Sequence, residues 1–247
     1  MKCLIGHTGF VGSNINRQEN FDFCYNSQNI EEIKGRSFDL LICAGARGVK
    51  WKANKFPDDD FREITRLIQN IDKAKFKKLV LISTIAVCSD SVDDAYGRNR
   101  LYLETHLRSK YECTTVVRLP ALFGEGLKKN AIYDLINQNY EYLPSLDSQF
   151  QYYCLDNIWQ DIQVVLRNNI TVMNISPEPT PFCDVFDLFD IENVSRTEGT
   201  TVVENMKTEH AHFWGKDGDY IYSRAETMTD LKNFIAQQRN HETTRIL

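Results

Sequence analysis

The 247-residue sequence predicts an α/β protein with a doubly wound, mainly parallel sheet. Short apolar runs alternate with segments of helical periodicity from the first residue onward, which is the pattern of repeated strand–helix units. The apolar runs contain too few polar residues to alternate, as expected for strands that are buried on both faces. A glycine-rich turn, residues 6–12, directly follows the first run. The fold class is predicted from these three observations.

The elements can be placed in order along the chain. Six runs are predicted to be strands: Lys2–Ile5, Phe21–Tyr25, Asp39–Cys43, Lys78–Ser83, Thr114–Leu119 and Val172–Ile175. Apolar residues at helical spacing predict helices over Phe61–Ile71, Tyr96–Leu107, Asn157–Leu166 and Thr227–Gln238. The stretch from Asn26 to Phe38 has room for the short helix Ile30–Ile33 but hardly for a further strand and helix. We therefore expect the sheet to lack one edge strand of the usual set.

The composition excludes several function classes. The formal charge is −5, whereas proteins that bind nucleic acids present basic surfaces, so no nucleic-acid partner is expected. No apolar run approaches the roughly 18 residues of a membrane span, and the first residues have the pattern of a buried strand, not of a signal peptide. Seven cysteines without a CxxC pair argue for a cytoplasmic protein without structural disulfides or zinc. His210 and His212 lack an acidic or thiol partner at a convincing spacing, so no metal site is expected.

The strand–helix rhythm also predicts the domain organisation. Residues 1–125, continued by 152–175, are predicted to form the core around the parallel sheet. From about Gly124 onward, aromatic residues, Asn and Pro replace this rhythm. Residues 126–151 and 176–247 are therefore expected to form a small substrate-binding lobe, integrated with the core.

The glycine turn has the physical properties of a dinucleotide-binding loop. Gly6 permits the tight turn, Gly9 lets the backbone approach a pyrophosphate, and Gly12 lets the following helix pack closely on the strand. The pyrophosphate would meet the free N–H groups and the positive dipole end of that helix. The spacing is GxxGxxG, not the GxGxxG of the standard fingerprint. A glycine-rich turn without a ligand is the alternative.

The stretch Gly6–Ser13 resembles the opening of the extended short-chain dehydrogenase/reductase family, the NAD-dependent epimerase/dehydratase group. The likeness continues in order and spacing over roughly the first 175 residues, through residues 41–46, 80–84, 96–100, 117–124, 150–156 and 172–175. The resemblance implies a Rossmann-like fold that binds NAD or NADP. It places the cofactor contacts at Gly6, Thr8, Gly9, Phe10, Val11, Gly12, Asn26, Ser27, Ala44, Gly45, Ala46, Arg47, Tyr96, Arg100, Leu119 and Pro120.

The choice between NAD and NADP stays open. An acidic residue near the end of the second strand would bind the ribose 2′-hydroxyl of NAD, and an Arg there would favour NADP. The sequence has Tyr25-Asn26-Ser27-Gln28 at this place and therefore carries neither signal. Asn26 or Ser27 can hydrogen-bond either form.

The resemblance also implies a catalytic set of Ser or Thr, Tyr, and Lys four residues after the Tyr. Thr84 takes the first place and Tyr96 the second, whereas the third holds Arg100. A fixed cation one helical turn away stabilises the phenolate and lowers the tyrosine pKa from about 10. Tyr96 would then exchange a proton with a substrate hydroxyl while Thr84 orients the same oxygen. A Tyr with its hydroxyl at the surface and an Arg on a solvated helix face are the alternative.

Substrate contacts are implied at three positions after the core. Lys129 and Asn130 open a helix, as in relatives in which this Asn contacts the diphosphate of a nucleotide sugar. Gln149 falls where an Arg often binds the substrate phosphate, and Ala121 replaces an Asn found in some relatives. A solvated lysine is the equal alternative for Lys129, so the nucleotide-sugar assignment depends on the resemblance.

The resulting hypothesis is an NAD(P)-dependent epimerase, reductase or dehydratase that acts on a sugar nucleotide or a related hydroxyl or carbonyl substrate. The short connection after the second strand favours the reductase branch, and Ile85 and Ala86 stand where a dehydratase would usually add an acidic residue. The alternative is a dinucleotide-binding regulatory or scaffold protein that has lost turnover. This alternative predicts the departures from the family pattern at Arg100, Ala121 and Gln149. Relatives often form homodimers through two helices, which correspond here to Phe61–Phe76 and Tyr96–Tyr111.

Overall fold

Strands and helices alternate through the first half of the computed structural model, which describes residues 1–88, 94–189, 191 and 199–246. The strands are β1 (Lys2–Ile5), β2 (Phe23–Tyr25), β3 (Ser37–Cys43), β4 (Lys75–Thr84), β5 (Thr114–Leu119), β6 (Ala121–Phe123), β7 (Gln149–Phe150), β8 (Tyr152–Cys154), β9 (Val172–Asn174) and β10 (Thr180–Pro181). The helices are α1 (Phe10–Gln18), α2 (Lys50–Lys55), α3 (Pro57–Ile71), α4 (Ala95–Lys110), α5 (Ala131–Ile136), α6 (Ile158–Arg167), α7 (Phe182–Phe186) and α8 (Arg224–Ile246).

Contacts divide the chain into two units. Unit 1 comprises residues 1–119 and 156–174, and unit 2 comprises residues 120–155 and 175–247. The stretches 120–125 and 152–155, which the sequence places with the core, have their contacts in unit 2 because β6 pairs with β8 there.

Unit 1 is built around a six-stranded parallel sheet in the order β2-β1-β3-β4-β5-β9. The prediction of a doubly wound parallel sheet is confirmed. Its central strands are buried on both faces: Leu79, Val80 and Leu81, successive residues of β4, are all fully buried. This burial explains why the strands do not alternate in the sequence.

The predicted loss of an edge strand is also confirmed, because β2 is the outermost strand on its side of the sheet. In the usual doubly wound order a further strand lies outside the second one. Here the connection from β2 to β3 contains a single 3₁₀ turn, Ile30–Ile33, whose two isoleucines are buried in the core. The short chain segment thus covers the core without extending the sheet.

Some elements differ from the sequence prediction. The β4 strand begins at Lys75, three residues early, because Ser37 and Lys75 pair at a polar, exposed extension of the sheet. The second strand begins at Phe23, and Phe21 instead packs edge-on against Trp159 with ring centroids 5.7 Å apart. The sequence does not predict the helix α2. Only Ala53 among its residues is buried, so the segment has no apolar stripe at helical spacing.

Unit 2 contains two small two-stranded sheets, the parallel pair β6–β8 and the antiparallel pair β7–β10. Its apolar core includes Phe123, Phe182 and Leu231, from β6, α7 and α8. The fully buried Gln151 links three chain segments: its Nε2 donates to Pro177 O at 2.6 Å and to Met206 O at 2.7 Å. No helix in the described ranges is both long and apolar enough to cross a membrane.

Candidate active site

The glycine turn joins β1 to α1 at the carboxyl edge of the sheet. Gly6 has φ +90°, a conformation that favours glycine, and its N–H donates to Tyr25 O at 2.7 Å. A Cβ on Gly6 would lie 2.4 Å from Ala44 O, and a Cβ on Gly12 would lie 2.1 Å from Gly6 O. Two of the three glycines are therefore required by close backbone packing within the fold.

Gly9 differs from the other two glycines. Its φ is −80°, which any residue adopts, and a Cβ there would meet only Gly6 O, at 3.3 Å. Gly9 is the N-cap of the nine-residue helix α1, whose first turn contains no acidic residue. Thr8 and Gly9 are exposed, so the open N-terminal end of α1 can accept an anion.

One polar atom at this turn has no hydrogen-bond partner within the described part of the chain: the buried Nδ1 of His7. Buried polar atoms in native proteins are usually paired with protein, water or ligand. The open helix end, the small residue at position 9 and this unsatisfied nitrogen are all compatible with a bound dinucleotide.

The end of β2 forms a self-contained turn. Asn26 Oδ1 accepts the Gln28 N–H at 2.9 Å, and the Asn26 N–H donates to Asn29 Oδ1 at 2.7 Å. Ser27 is exposed beside them. The side-chain oxygen of Asn26 is thus already hydrogen-bonded within the turn. Residues 25–29 contain no carboxylate and no guanidinium, so this turn favours neither NAD nor NADP.

The segment after β3 runs beside the glycine turn. The Ala44 N–H donates to Ile5 O at 2.9 Å, and a Cβ on Gly45 would lie 3.1 Å from a methyl group of Leu67. Ala46 packs against the core of unit 1. The side chain of Arg47 is about half exposed and lies 3.0 Å from Glu63 Oε1.

Thr84 and Tyr96 meet at the carboxyl end of β4. A hydrogen bond joins their side chains, and Thr84 Oγ1 also accepts the Ala86 N–H at 3.2 Å. Thr84 pairs with Leu119 of β5 in the sheet register, and Pro120 follows as the first residue of unit 2.

The first turn of α4 is held in place by polar contacts around Tyr96. Asp94 is the N-cap and accepts the Gly97 N–H at 2.7 Å, and it also pairs with Lys50 of α2 at 2.8 Å. The Tyr96 N–H donates to Asn54 Oδ1 at 2.9 Å. The short helix α2, which the sequence did not predict, thus positions Tyr96.

Arg100 is buried, with 3% of its side chain exposed. Its Cζ lies 4.2 Å from the centroid of the Tyr96 ring. One terminal nitrogen donates to Asp60 Oδ2 and the other to the backbone oxygen of Arg47. The alternative of an Arg on a solvated helix face does not apply to Arg100, because its charge is paired inside unit 1.

The pKa of Tyr96 differs from the expected direction. Burial raises the pKa of Tyr96 above its ordinary value of 10.0, and the charge of Arg100 and the hydrogen bond from Thr84 offset this only in part. Asp60 opposes the effect of Arg100, because it places a negative charge beside the guanidinium. Arg100 thus lowers the pKa of Tyr96, as expected, but burial outweighs this contribution and the net pKa is raised.

A second buried cluster ties α4 to the sheet. Arg118 Nη2 lies 2.6 Å from Glu104 Oε2, and Ser83 Oγ donates to Glu104 Oε1 at 2.5 Å. Arg118 also donates to Cys88 Sγ at 3.1 Å, and burial raises the pKa of that thiol. Because Ser83 precedes Thr84 in β4, this cluster adjoins the Thr84–Tyr96 pair along the strand.

The sequence did not single out Asp60, Asn54 or Glu104. Asp60 belongs to the run Asp58-Asp59-Asp60 after Pro57, which has the pattern of an ordinary acidic helix start. Of these three residues only Asp60 is turned inward, where it contacts Arg100. The two residues are 40 positions apart in the sequence, so no local pattern indicates the contact.

The predicted substrate residues lie in unit 2. Asn130 has φ +104°, and its side chain is already engaged: Oδ1 accepts the Tyr133 N–H at 3.1 Å and Nδ2 donates to Leu122 O at 2.8 Å. Burial lowers the pKa of Lys129. Gln149 is exposed, and its backbone pairs with Val202 and Glu204. In the described residues no cluster of His, Cys, Asp and Glu is arranged to hold a metal ion.

Comparison with known proteins gives a structural likeness only. No family model and no curated protein matches the sequence. A UDP-glucose 4-epimerase from Thermotoga maritima, solved with UDP-glucose, is 15% identical, with a TM-score of 0.72, over 98% of this chain and 99% of that one.

Two further structures extend this likeness. A dTDP-4-dehydrorhamnose reductase from Clostridium acetobutylicum is 17% identical, with a TM-score of 0.68, over 97% of this chain and 100% of that one. The protein RMD from Pseudomonas aeruginosa, solved with NADPH, is 12% identical, with a TM-score of 0.68, over 94% of this chain and 100% of that one. The resemblance stated from the sequence is thereby confirmed at the level of the fold: the chain has the Rossmann-like fold of the extended short-chain dehydrogenase/reductase epimerases and reductases.

Proposed function

We propose that the protein is an NAD(P)-dependent oxidoreductase of the epimerase or reductase kind that acts on a sugar nucleotide. The observation that carries this proposal is the hydrogen-bonded pair of Thr84 and Tyr96 hydroxyls. The pair lies at the carboxyl end of β4, where Thr84 is the last residue. The glycine turn follows β1 at the same edge of the parallel sheet. Ligands of doubly wound sheets bind at this carboxyl edge.

The residues that would hold the dinucleotide are those of the glycine turn, the turn Asn26–Ser27 and the segment 44–47. Gly9 gives the strongest support, because the fold itself requires glycine at positions 6 and 12 but not at position 9. A small residue there leaves room for a pyrophosphate at the start of α1. When bound, the nicotinamide would supply the hydride chemistry.

Tyr96 would transfer a proton between its hydroxyl and the substrate hydroxyl, and Thr84 would orient the same oxygen. Arg100 faces the ring of Tyr96 and is tied to the backbone of Arg47. It would therefore act on Tyr96 as a fixed cation from within the protein, whereas a flexible lysine at this position would reach toward solvent or ligand.

The sugar-nucleotide substrate is supported by the fold neighbours, two of which are named for UDP-glucose and a dTDP-sugar. Within unit 2, Lys129 would carry the contact with a substrate phosphate, and the exposed Gln149 would supply an uncharged hydrogen bond. Asn130 would contribute mainly by fixing the backbone beside Lys129, because its side chain already caps α5.

A second function is favoured by the raised pKa of Tyr96 and by the Asp60–Arg100 pair. A protein that binds the dinucleotide as a regulator or scaffold needs the glycine turn but does not need a tyrosine ready to lose its proton. A raised pKa keeps Tyr96 protonated near neutral pH, which suits proton donation but not proton abstraction.

The two functions are separated by the activity of Tyr96→Phe. Turnover of nucleotide sugars with each dinucleotide is measured for the wild type, for Tyr96→Phe and for Tyr142→Phe, a control at an exposed tyrosine of unit 2. Loss of an acid–base group predicts that kcat falls about 100-fold or more in Tyr96→Phe. Unchanged activity in Tyr96→Phe would contradict the catalytic assignment, and bound dinucleotide without turnover in any variant would favour the regulatory function.

A homodimer is part of the proposal. Phe61 of α3 and Tyr102 of α4 are both more than a third exposed, and their ring centroids lie 5.0 Å apart. Leu101, also partly exposed, adjoins this pair along α4. Exposed apolar patches of this kind often mark interfaces. Light scattering is expected to show a dimer at micromolar concentration, and a monomer there would contradict it.

A further inference from the structure

The carboxylate of Asp60 lies beside the guanidinium of Arg100, and both side chains are largely buried. The Asp60 side chain is 9% exposed, although it belongs to the first turn of α3, where acidic side chains ordinarily face water. It accepts a hydrogen bond from Asn99 Nδ2 at 2.8 Å as well as from Arg100. Two consecutive residues of α4 are therefore attached to one carboxylate of α3.

The geometry of Arg100 depends on this carboxylate. A guanidinium is planar and donates from two nitrogens in a fixed fork. One terminal nitrogen donates to Asp60 and the other to the Arg47 oxygen, and the Cζ atom between them lies 4.2 Å from the centroid of the Tyr96 ring. Without Asp60 a buried guanidinium would keep its charge but lose half of its anchoring, which a protein interior tolerates poorly.

We propose that Asp60 is a positioning residue for Tyr96: it holds Arg100 over the face of the Tyr96 ring and partly neutralises its charge, and so raises the proton affinity of the Tyr96 hydroxyl. This proposal rests on the proposed function, which gives the Tyr96 hydroxyl the role of acid or base. It also explains why Arg stands at position 100, because Asp60 and the Arg47 oxygen together match a forked donor.

The charged groups around Tyr96 determine the sign of the expected effect. Arg100 faces it from α4, Asp60 from α3 and Lys50 from α2, and Lys50 is itself paired with Asp94. Asp60→Asn removes the negative charge but keeps a side-chain oxygen that can accept the hydrogen bond from Arg100, so the guanidinium stays over the ring with its positive charge uncompensated. The phenolate of Tyr96 is then stabilised, so its pKa falls in Asp60→Asn.

The experiment measures the pKa of the hydroxyl at position 96 directly and uses no substrate. A fluorinated tyrosine, whose pKa is lower than that of tyrosine, is incorporated at position 96 alone in the full-length protein, and its ¹⁹F resonance is followed against pH. We expect the pKa of residue 96 to fall by about 1 unit in Asp60→Asn. The control is Asp59→Asn, which removes a neighbouring, exposed carboxylate that pairs with Arg62, and it is expected to leave the pKa unchanged.

Equal pKa values in the wild type and in folded Asp60→Asn would overturn the proposal, as would an equal shift in Asp59→Asn. If Asp60→Asn fails to fold, the same comparison is made between Arg100→Lys and Arg100→Lys with Asp60→Asn, because a flexible lysine can turn toward solvent. The pKa is again expected to be lower where Asp60 is replaced, and identical values would refute the proposal. Since no turnover is measured, an inactive protein would contradict the proposed function but would leave this result standing.

Discussion

The carboxylate of Glu104, on α4, lies 2.6 Å from the guanidinium of Arg118, on β5, and both groups are largely buried. The second carboxylate oxygen accepts the hydroxyl of Ser83, the residue before Thr84. Glu104 lies two helical turns after Tyr96. The pair therefore fixes the helix that carries Tyr96 against the strand that carries Thr84.

Glu104→Gln is expected to destabilise unit 1 by about 3 kcal/mol, because it leaves the charge of Arg118 buried without its counter-ion. The free energy of unfolding is measured by urea denaturation. Glu112→Gln, an exposed position just after α4, is the control and is expected to change it by less than about 0.5 kcal/mol. Equal stability of the two variants would show that the pair does not hold α4 in place.

The features that the sequence predicts are local. The glycine turn, the buried strands and the apolar faces of α3 and α4 each depend on residues close together in the chain, and the structure places them as expected. The arrangement around Tyr96 depends on contacts between distant segments. Asp60 and Asn54 look like solvent-facing residues of polar helices, and only the packing of α2 and α3 against α4 brings them to the site.

Within the glycine turn, Gly12 is required for packing, whereas Gly9 is assigned to binding. Gly12→Ala is expected to cost about 3 kcal/mol, since its Cβ would lie 2.1 Å from a backbone oxygen that cannot move freely. Gly9→Ala is expected to cost about 1 kcal/mol or less, the cost of a poorer N-cap. Urea denaturation of both variants, with Gly48→Ala as a control at a position with open space, measures these values. A larger loss in Gly9→Ala than in Gly12→Ala would contradict the assignment of their roles.

Asn130 is predicted to be required for the stability of unit 2. Asn130→Ala removes both side-chain hydrogen bonds and places alanine at φ +104°, so it is expected to cost about 2 kcal/mol. Asn130→Gly loses the same bonds but tolerates the backbone conformation, so thermal unfolding should show a smaller loss. Alanine and glycine variants of equal stability would show that the backbone conformation carries no cost.

The stability of unit 2 is expected to depend on Glu226 in a defined pH range. Hydrogen bonds from Lys216 and Ser223 lower the pKa of Glu226 from 4.5 to about 2. A lowered folded-state pKa contributes stability that is complete above about pH 4.5 and is lost as the pH falls toward 2. Glu226→Gln should therefore lower the melting temperature at pH 6, and the difference from the wild type should shrink at pH 3. A difference that is the same at both pH values would contradict this assignment.

The substrate residues were the least predictable part of the sequence. Asn130 matches the family pattern by type, but the structure uses its side chain to cap α5, a role that depends on the Leu122 oxygen eight residues earlier. Arg100 was correctly placed on the face of α4 that carries Tyr96. Burial keeps the pKa of Tyr96 above its ordinary value, and Asp60, the buried partner of Arg100 on α3, adds to this effect. The sequence shows no sign of that partner.

The central claim is that the glycine turn binds a nicotinamide dinucleotide. It is tested most directly by isothermal titration of the purified, cofactor-stripped protein with NAD⁺, NADH, NADP⁺ and NADPH, with Gly9→Ala measured in parallel. We expect the wild type to bind at least one oxidised and reduced pair, and folded Gly9→Ala to show a marked loss of affinity. Absence of binding by all four dinucleotides to the folded wild type would contradict it.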